Sequence, residues 1–297
     1  MNVFTGKEFN EKYQGKQFIK LTTLFEIHNG FMFGTGLNID TIPFNPSGEC
    51  QPGGIYFCDL ERLPKWIEYG GKNMFYARLV TIPDDAQVYE EVDKFKADRI
   101  ILGLRKKIEE LSIWSDENYC LEAVKQNCQL LKYVKNQTEA ICLAAVQQNG
   151  YTVDYVKNQT EEICMEAVKE NGRTLEYVLN RTETICLEAV KQDGMALKYV
   201  LNQTEAICWK AVRQNGLALQ YVKNQTQDMC IEAVRQDGYA LKCVKDQTEE
   251  ICMEAVRKDG YALAYVRNQT EKICRAAVEE NINAFKYIGN RNMYDRL

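Results

Sequence analysis

Apolar residues recur with a fixed period of 22 positions over more than half of the chain. A cysteine marks each copy, at Cys120, Cys142, Cys164, Cys186, Cys208, Cys230, Cys252 and Cys274. In every copy an alanine follows the cysteine after three residues and a valine after four, and Ile, Met or Tyr precedes it. Because residues at these spacings share one face of a helix, the pattern predicts a short amphipathic helix in each copy.

A glycine stands eight residues after most of these cysteines, for example Gly150 and Gly194. Since glycine adopts positive φ without strain, it predicts the end of the helix. A second apolar stripe follows, such as ALKYV at 196–200, and predicts a second helix of about two turns. Helices this short are unstable alone in water, so the copies must stack, as in an α-solenoid.

The first and last copies differ from the others. Cys128 and Ile282 occupy the glycine position, and Arg275 occupies a position that is apolar elsewhere. Terminal repeats that depart in this way are typical of caps. The pattern therefore predicts an all-α solenoid of eight 22-residue helix-turn-helix repeats over residues 116–290.

Residues 1–104 lack the repeat and have a different pattern of apolar and polar residues. Runs rich in Val, Ile and aromatic residues predict strands at 18–23, 53–59, 74–82, 86–91 and 98–104. LERLPKWIEYG (60–70) predicts one helix, and the Pro- and Gly-rich stretch 41–54 predicts a loop. We therefore expect an α+β head domain before the solenoid.

The two parts are joined by a short segment. RKKIEELSIW (105–114) predicts a helix within a linker over 105–115, and residues 291–297 form a C-terminal tail.

Asn-Gln-Thr recurs in the repeats, at Asn136, Asn158, Asn202, Asn224 and Asn268. The triplet is formally a glycosylation sequon, but helix capping explains it more simply. Asn136 and Glu139 have the spacing of a capping box, and Thr138 is the cap if the helix begins two residues later. One copy has Asp246 instead, which caps equally well and accepts no sugar.

The column of cysteines suggests disulfides or zinc, and helix geometry argues against both. Neighbouring helices pack about 8–10 Å apart, whereas a disulfide needs Cα atoms within about 7 Å. Zinc needs four ligands that converge on one point. We expect a column of small buried side chains and no metal site, and the single histidine, His28, weakens histidine-based catalysis.

Composition and charge limit the kinds of partner and the cellular compartment that we expect for the protein. The formal net charge is −5 and the pI about 5.3, which gives no reason to expect nucleic acid as a partner. No apolar run is long enough to span a membrane, and the first residues lack the apolar core of a signal peptide. The sequence therefore predicts a cytoplasmic protein without nucleic-acid or membrane partners.

One position in the repeat varies from copy to copy, immediately after the glycine. Variable aromatic and apolar residues on a regular stack are candidates for a partner-binding face, and a loosely constrained turn is the alternative. The candidates are Tyr151, Arg173, Met195, Leu217, Tyr239 and Tyr261.

Two stretches resemble repeat proteins of giant DNA viruses. TICLEAVKQDGMALKYV (184–200) resembles the short two-helix repeats of unknown function that are expanded in these viruses and in some intracellular bacteria. HNGFMFGTGLNIDTIPFNPSGECQPGGIYFCD (28–59) resembles the module that precedes such arrays. The resemblance implies a non-catalytic scaffold that binds a protein of the host cell and needs no cofactor.

A second resemblance points to an alternative function. GGIYFCDLERLPKWIEYG (53–70) is similar to the Gly-Ile-Tyr-Phe strand and following helix of poly(ADP-ribose) polymerase-type transferases. That family places a tyrosine on nicotinamide, a first-strand histidine on the ribose and a late-strand glutamate at the reacting centre. The corresponding positions are Tyr56, Thr22 and Asp98.

The resemblance implies NAD as a cofactor, with Trp66 or Tyr69 near the pocket. Two of the three family positions differ in type, and aspartate is one methylene shorter than glutamate. The alternative is therefore an ADP-ribosyltransferase-like enzyme of degenerate or altered chemistry, whose solenoid recruits the target.

Overall fold

The computed structural model describes residues 3–28, 30–47, 51–69 and 72–289, and for Tyr69, Lys72 and Asn73 it describes the backbone alone. The chain forms two compact units, Met1–Ala144 and Ala145–Leu297. Unit 1 contains a β-sheet, the first repeat and most of the helix Glu139–Val146, and unit 2 contains the following repeats. The predicted tail over 291–297 lies outside the described residues.

Unit 1 is built on an antiparallel sheet of nine strands with two small hairpins beside it. In chain order the strands are β1 Val3–Thr5, β2 Phe18–Thr22, β3 Ile27–His28, β4 Phe31–Met32, β5 Gly36–Ile39, β6 Ile55–Asp59, β7 Glu68–Tyr69, β8 Lys72–Asn73, β9 Tyr76–Thr81, β10 Gln87–Glu90, β11 Phe95–Ala97, β12 Arg99–Leu102 and β13 Lys106–Lys107. The order in the sheet is β1-β10-β11-β6-β2-β9-β12-β5, with β13 also on β9, and the hairpins are β3–β4 and β7–β8.

The sheet is interrupted near its centre, between β2 and β6. These strands pair through Phe18 with Asp59 and Ile19 with Cys58. On their other edges, all of β2 pairs with β9, and the first three residues of β6 pair with β11. Three of the five residues of each central strand are therefore unpaired with the other.

Aromatic packing forms the core on one side of this sheet. Helix α1 (Gly6–Lys12) places Phe9 against Phe18, Phe57 and Phe95, with ring centroids 5.0–6.0 Å apart. These four side chains are buried. Burial of such rings contributes about 1.5–3 kcal/mol each, so this cluster fixes α1 on the sheet.

All five predicted strands of the head are confirmed, while two predicted helices need correction. Over 60–70 a 3₁₀ turn, Leu60–Arg62, leads into the short α2, Leu63–Trp66, and then into β7. Over 105–114 there is no continuous helix, but β13 and the 3₁₀ turns Ile108–Glu110 and Ser112–Ser115.

The buried residues of the second segment explain its conformation. The Trp114 Nε1 donates to the Ile108 carbonyl at 2.7 Å, and both side chains are buried. Residues six apart lie on different faces of an α-helix, so a helix would separate them.

The predicted array is confirmed, since each α-helix from α3 onward in the described part is followed by a 3₁₀ helix. The α-helices are α3 Glu117–Gln126, α4 Glu139–Val146, α5 Glu161–Glu170, α6 Glu183–Gln192, α7 Glu205–Gln214, α8 Gln227–Gln236, α9 Glu249–Lys258 and α10 Glu271–Glu280. The 3₁₀ helices are Cys128–Tyr133, Gly150–Tyr155, Gly172–Tyr177, Gly194–Tyr199, Gly216–Tyr221, Gly238–Cys243, Gly260–Tyr265 and Ile282–Tyr287.

The repeat glycine has a different role from the predicted one. Its φ is not positive, and the glycine begins the 3₁₀ helix, whereas the preceding Asn or Asp ends the α-helix in an extended conformation. A Cβ on Gly172 would lie 2.3 Å from the Ala189 carbonyl oxygen of the next repeat. Glycine is therefore required because consecutive repeats approach each other closely there.

From the helix at 161–170 onward, the threonine of the Asn-Gln-Thr triplet caps the following helix, whereas the hydroxyl of Thr138, where the cap was predicted, is buried without a hydrogen bond in the described residues. In α5 the Thr160 hydroxyl accepts from the Ile163 N–H at 3.4 Å, and Asn158 is exposed. The same cap recurs at Thr182, Thr204, Thr226, Thr248 and Thr270.

The glutamine of the same triplet connects successive repeats in unit 2. Gln225 donates to the carbonyl oxygens of Leu219 in its own repeat, at 3.0 Å, and Cys243 in the next, at 2.9 Å. Its Oε1 accepts from the Lys245 N–H at 2.9 Å. These bonds satisfy backbone groups at the ends of two 3₁₀ helices.

One repeat has Arg181 instead, and the arginine makes the equivalent connection. Its guanidinium donates to the carbonyl oxygens of Val178, Tyr199 and Glu176 at 2.9–3.0 Å. Either side chain therefore holds two repeats together through backbone carbonyls.

Candidate functional site

A row of tyrosines lies along the 3₁₀ helices of unit 2. Each repeat contributes a tyrosine at the residue that follows the first residue of the 3₁₀ helix, at the residue that ends this helix, or at both. We define the tyrosine row as Tyr151, Tyr155, Tyr177, Tyr199, Tyr221, Tyr239, Tyr261, Tyr265 and Tyr287. All nine are half-buried or exposed.

Tyrosines of consecutive repeats contact each other along this row. The ring centroids of Tyr239 and Tyr265 lie 5.7 Å apart in an edge-to-face arrangement. The pairs Tyr151–Tyr177 and Tyr261–Tyr287 repeat it at 6.0 Å. The row is therefore a shared surface that extends over several repeats.

The predicted partner-binding residues all belong to this surface or stand between its tyrosines. Tyr151 and Tyr239 are 39% and 37% exposed, and Arg173 is exposed with its Nε 2.6 Å from the Asp193 carboxylate. The other three candidates, Met195, Leu217 and Tyr261, are half-buried.

Charged groups lie beside the rings. Lys286 Nζ is 5.2 Å from the Tyr261 ring centroid and 4.9 Å from that of Tyr287. A hydrogen bond with Glu176 raises the pKa of Tyr199 above its usual value. The surface thus combines apolar rings with hydroxyl groups and charges, which suits recognition of a protein surface.

The residues predicted for NAD are brought together only in part. Thr22, Tyr56 and Trp66 line one cavity of about 280 Å³ in unit 1. Asp98 is not among its lining residues. It accepts from the Gln87 N–H at 2.8 Å and from Arg99 Nε at 3.1 Å.

Sequence reasoning missed the cations of this cavity. Lys20 and Lys94 line it, and both are buried. Burial lowers the pKa of Lys20 from 10.5 to about 8. The available signal was a lysine inside the apolar run FIKLTT, which an ordinary strand core would not contain.

The cysteines of the array are packing residues in the structure. The Sγ of Cys164 lies 3.7 Å from Gln159 Oε1, and the described cysteines are free thiols. Burial raises the pKa of the Cys230 thiol to about 11, so it is protonated at neutral pH. In the part of the chain that the structure describes, no group of His, Cys, Asp or Glu side chains is arranged to hold a metal ion.

Comparison with known proteins identifies the repeats. The model of a domain of unknown function, DUF4116, matches residues 160–204, 182–227, 204–248 and 226–269. An uncharacterized protein of Acanthamoeba polyphaga mimivirus is 31% identical over 101 residues, which are 33% of this chain and 73% of that protein. The chain belongs to this family of giant-virus repeat proteins.

Further members of the family carry a different name. Two proteins of the same mimivirus that are named for ankyrin repeats are 31% identical over 111 residues and 37% identical over 89 residues. The matches cover 35% and 27% of this chain, and 53% and 28% of the relatives' own lengths. No solved structure matches the chain. Among the described residues, none of the helices is long and apolar enough to cross a bilayer.

Proposed function

We propose that the protein is a non-catalytic scaffold that binds another protein through its tyrosine row. The observation that carries this proposal is the recurrence of tyrosine contacts between consecutive repeats, as in the contact of Tyr239 with Tyr265. Tyrosine is enriched among the residues that dominate binding energy at protein interfaces, because a large ring is fixed at low entropic cost.

The rest of the repeat supports this assignment. The stripe residues, the glycine, the glutamine and the capping threonine are all used in packing or backbone hydrogen bonds. The position after the glycine is free to vary, so it can determine which partner is bound. A constant frame with variable exposed residues is the usual arrangement in repeat proteins that bind proteins.

The viral family suggests where the partner is found. The relatives belong to a mimivirus, so we place the partner among the proteins of the host cell, in its cytoplasm. Free thiols such as Cys58 and Cys128 fit a reducing compartment. The ankyrin name of two relatives agrees with an interaction role, although an ankyrin repeat has about 33 residues and this repeat has 22.

Affinity capture from amoeba lysates tests the proposal with the full chain. We compare wild type with the double variant Tyr239→Ala/Tyr265→Ala, and use Lys169→Ala/Lys191→Ala as the matched control. The control changes two exposed side chains on α5 and α6 of neighbouring repeats. We expect one set of proteins with wild type and control, and its loss with the tyrosine variant.

Equal recovery by all three proteins would refute the tyrosine row as the binding face. Thermal unfolding of each variant checks that a loss of recovery does not reflect a loss of folding.

An NAD-dependent transferase is the second candidate, favoured by the position of Thr22, Tyr56 and Trp66 around one cavity. Its test is binding and consumption of labelled NAD by wild type and Tyr56→Ala. If NAD is neither bound nor consumed by wild type, this candidate is wrong.

A further inference from the structure

The cavity of unit 1 lies beside the interruption of the sheet. Its lining includes residues from the unpaired parts of both central strands, such as Lys20 on β2 and Phe57 on β6. The aromatic side chains of Phe33, Tyr56 and Trp66 also line it. A mostly apolar cavity with a few polar groups is the usual form of a small-molecule site.

Lys20 is a buried cation without an acceptor in the described residues. It is 7% exposed, and its Nζ lies 4.8 Å from the centroid of the Phe33 ring. Two other buried cations have hydrogen-bond acceptors. Arg78 donates to Glu26 at 2.8 and 3.0 Å, and Lys96 donates to two backbone carbonyls. A buried ammonium without an acceptor is costly, which suggests that a ligand supplies one.

The other charges around the cavity leave it positive. Glu26 is the carboxylate of the lining, and Arg78 holds its pKa below the usual value while Arg105 adds a second contact at 3.3 Å. Lys94 Nζ lies 3.4 Å from the Glu91 carboxylate. Because Glu26 and Lys94 each have a partner of opposite charge, the ammonium of Lys20 leaves the cavity positive, and an anion fits better than a cation.

Backbone strain occurs at the same place. Glu26 has φ of 54°, which is uncommon for a residue other than glycine. Its carboxylate is held by Arg78 in spite of this conformation. Strained residues of this kind cluster at binding and active sites.

We propose that this cavity binds a small one-ring aromatic carboxylate, whose carboxylate accepts from Lys20 and whose ring packs among Phe33, Tyr56 and Trp66. One free ammonium matches the single charge of a carboxylate better than the larger charge of a phosphate. The volume of about 280 Å³ suits a one-ring molecule and is small for a dinucleotide.

Benzoate and benzamide test the proposal, because they have the same shape and differ in charge. Titration calorimetry of the full chain near pH 7 is expected to show saturable binding of benzoate, about tenfold tighter than that of benzamide. Lys20→Met is expected to reduce this preference to less than about twofold. The control Lys125→Met removes an exposed lysine on α3 that pairs with Glu122, and should leave the preference unchanged.

Several results would overturn the proposal. They are equal or tighter binding of benzamide by wild type, a preference that survives in Lys20→Met, and failure of wild type to bind benzoate. Binding of NAD together with a preference for benzamide would assign the cavity to the transferase function instead. The wild-type comparison decides the matter even if Lys20→Met does not fold.

Discussion

Unit 2 and unit 1 differ in how their buried polar groups are hydrogen-bonded. In unit 2 the same side chains satisfy the same backbone groups in successive repeats, as Gln225 does for Leu219 and Cys243. Unit 1 relies on contacts that occur once, and among its described residues the buried Lys20 has no acceptor. A frame whose side chains satisfy the same backbone groups in successive repeats leaves function to its surface, whereas an unsatisfied interior cation points to a ligand.

The largest expected effect concerns the close approach of repeats. Gly172→Ala places a Cβ 2.3 Å from the Ala189 carbonyl oxygen, so the backbone of two repeats must separate. We expect the free energy of unfolding to fall by about 3 kcal/mol, measured by chemical denaturation.

Gly34→Ala in unit 1 is the matched control, because no atom lies within 4 Å of its added Cβ and its φ is not positive. It should change the free energy by less than about 0.5 kcal/mol. Similar effects of both variants would contradict close packing as the reason for the repeat glycine.

The next effect concerns the buried Lys20 of unit 1, and its size depends on pH. Below pH 8 the Lys20 side chain is charged in both the folded and the unfolded protein, and the folded state bears the cost of burial. Lys20→Met removes this cost, so we expect it to stabilise the protein near pH 7 by about 2–3 kcal/mol.

Between pH 8 and 10.5 the Lys20 side chain is protonated in the unfolded chain and neutral in the folded protein. The stability of wild type therefore rises with pH relative to that of Lys20→Met. The difference between the two unfolding curves should therefore shrink as pH rises and vanish near 10.5. A Lys20→Met variant that is less stable than wild type throughout this range would show that Lys20 has a stabilising partner.

The glutamine of the repeat gives a smaller effect. Gln225→Ala leaves two carbonyl oxygens and the Lys245 N–H without their partner, and should cost about 2 kcal/mol in the free energy of unfolding. Gln225→Arg copies the natural Arg181 and should cost less than half as much. If both variants are equally destabilised, the connection between repeats does not depend on these donors.

The smallest effect on stability is expected at the tyrosine row. Tyr239→Ala removes one edge-to-face contact with Tyr265 and should cost about 1 kcal/mol in thermal unfolding. A cost as large as that of Gly172→Ala would mean that the row serves packing and not recognition.

The two regions also differ in how far the sequence predicts them. The period of the cysteines predicted the array, because the same apolar pattern recurs in every copy and each copy supports the prediction independently. It did not predict that a side chain at Gly172 would clash with a carbonyl oxygen of the next repeat, because the sequence does not show where consecutive repeats approach closely. The role of the Gln of Asn-Gln-Thr was missed for the same reason, because one of its two acceptors lies 18 residues further along the chain, in the next repeat.

In the head, strands rich in Val, Ile and aromatic residues were predicted, but the helix over 105–114 was not formed. The contact of Trp114 with Ile108 overrides local helix propensity. Tyr56, Thr22 and Trp66 were found as candidates through a resemblance, whereas the fold alone shows that Lys20 and Lys94 line the same cavity as these three residues.

Hydrogen–deuterium exchange of the full chain, with and without a captured partner, tests whether a partner binds along the tyrosine row. We expect the partner to protect the 3₁₀ helices that carry the row, such as Gly172–Tyr177 and Gly260–Tyr265, and to leave the exchange of α5–α10 unchanged. Protection confined to the α-helices, or to unit 1 alone, would contradict it.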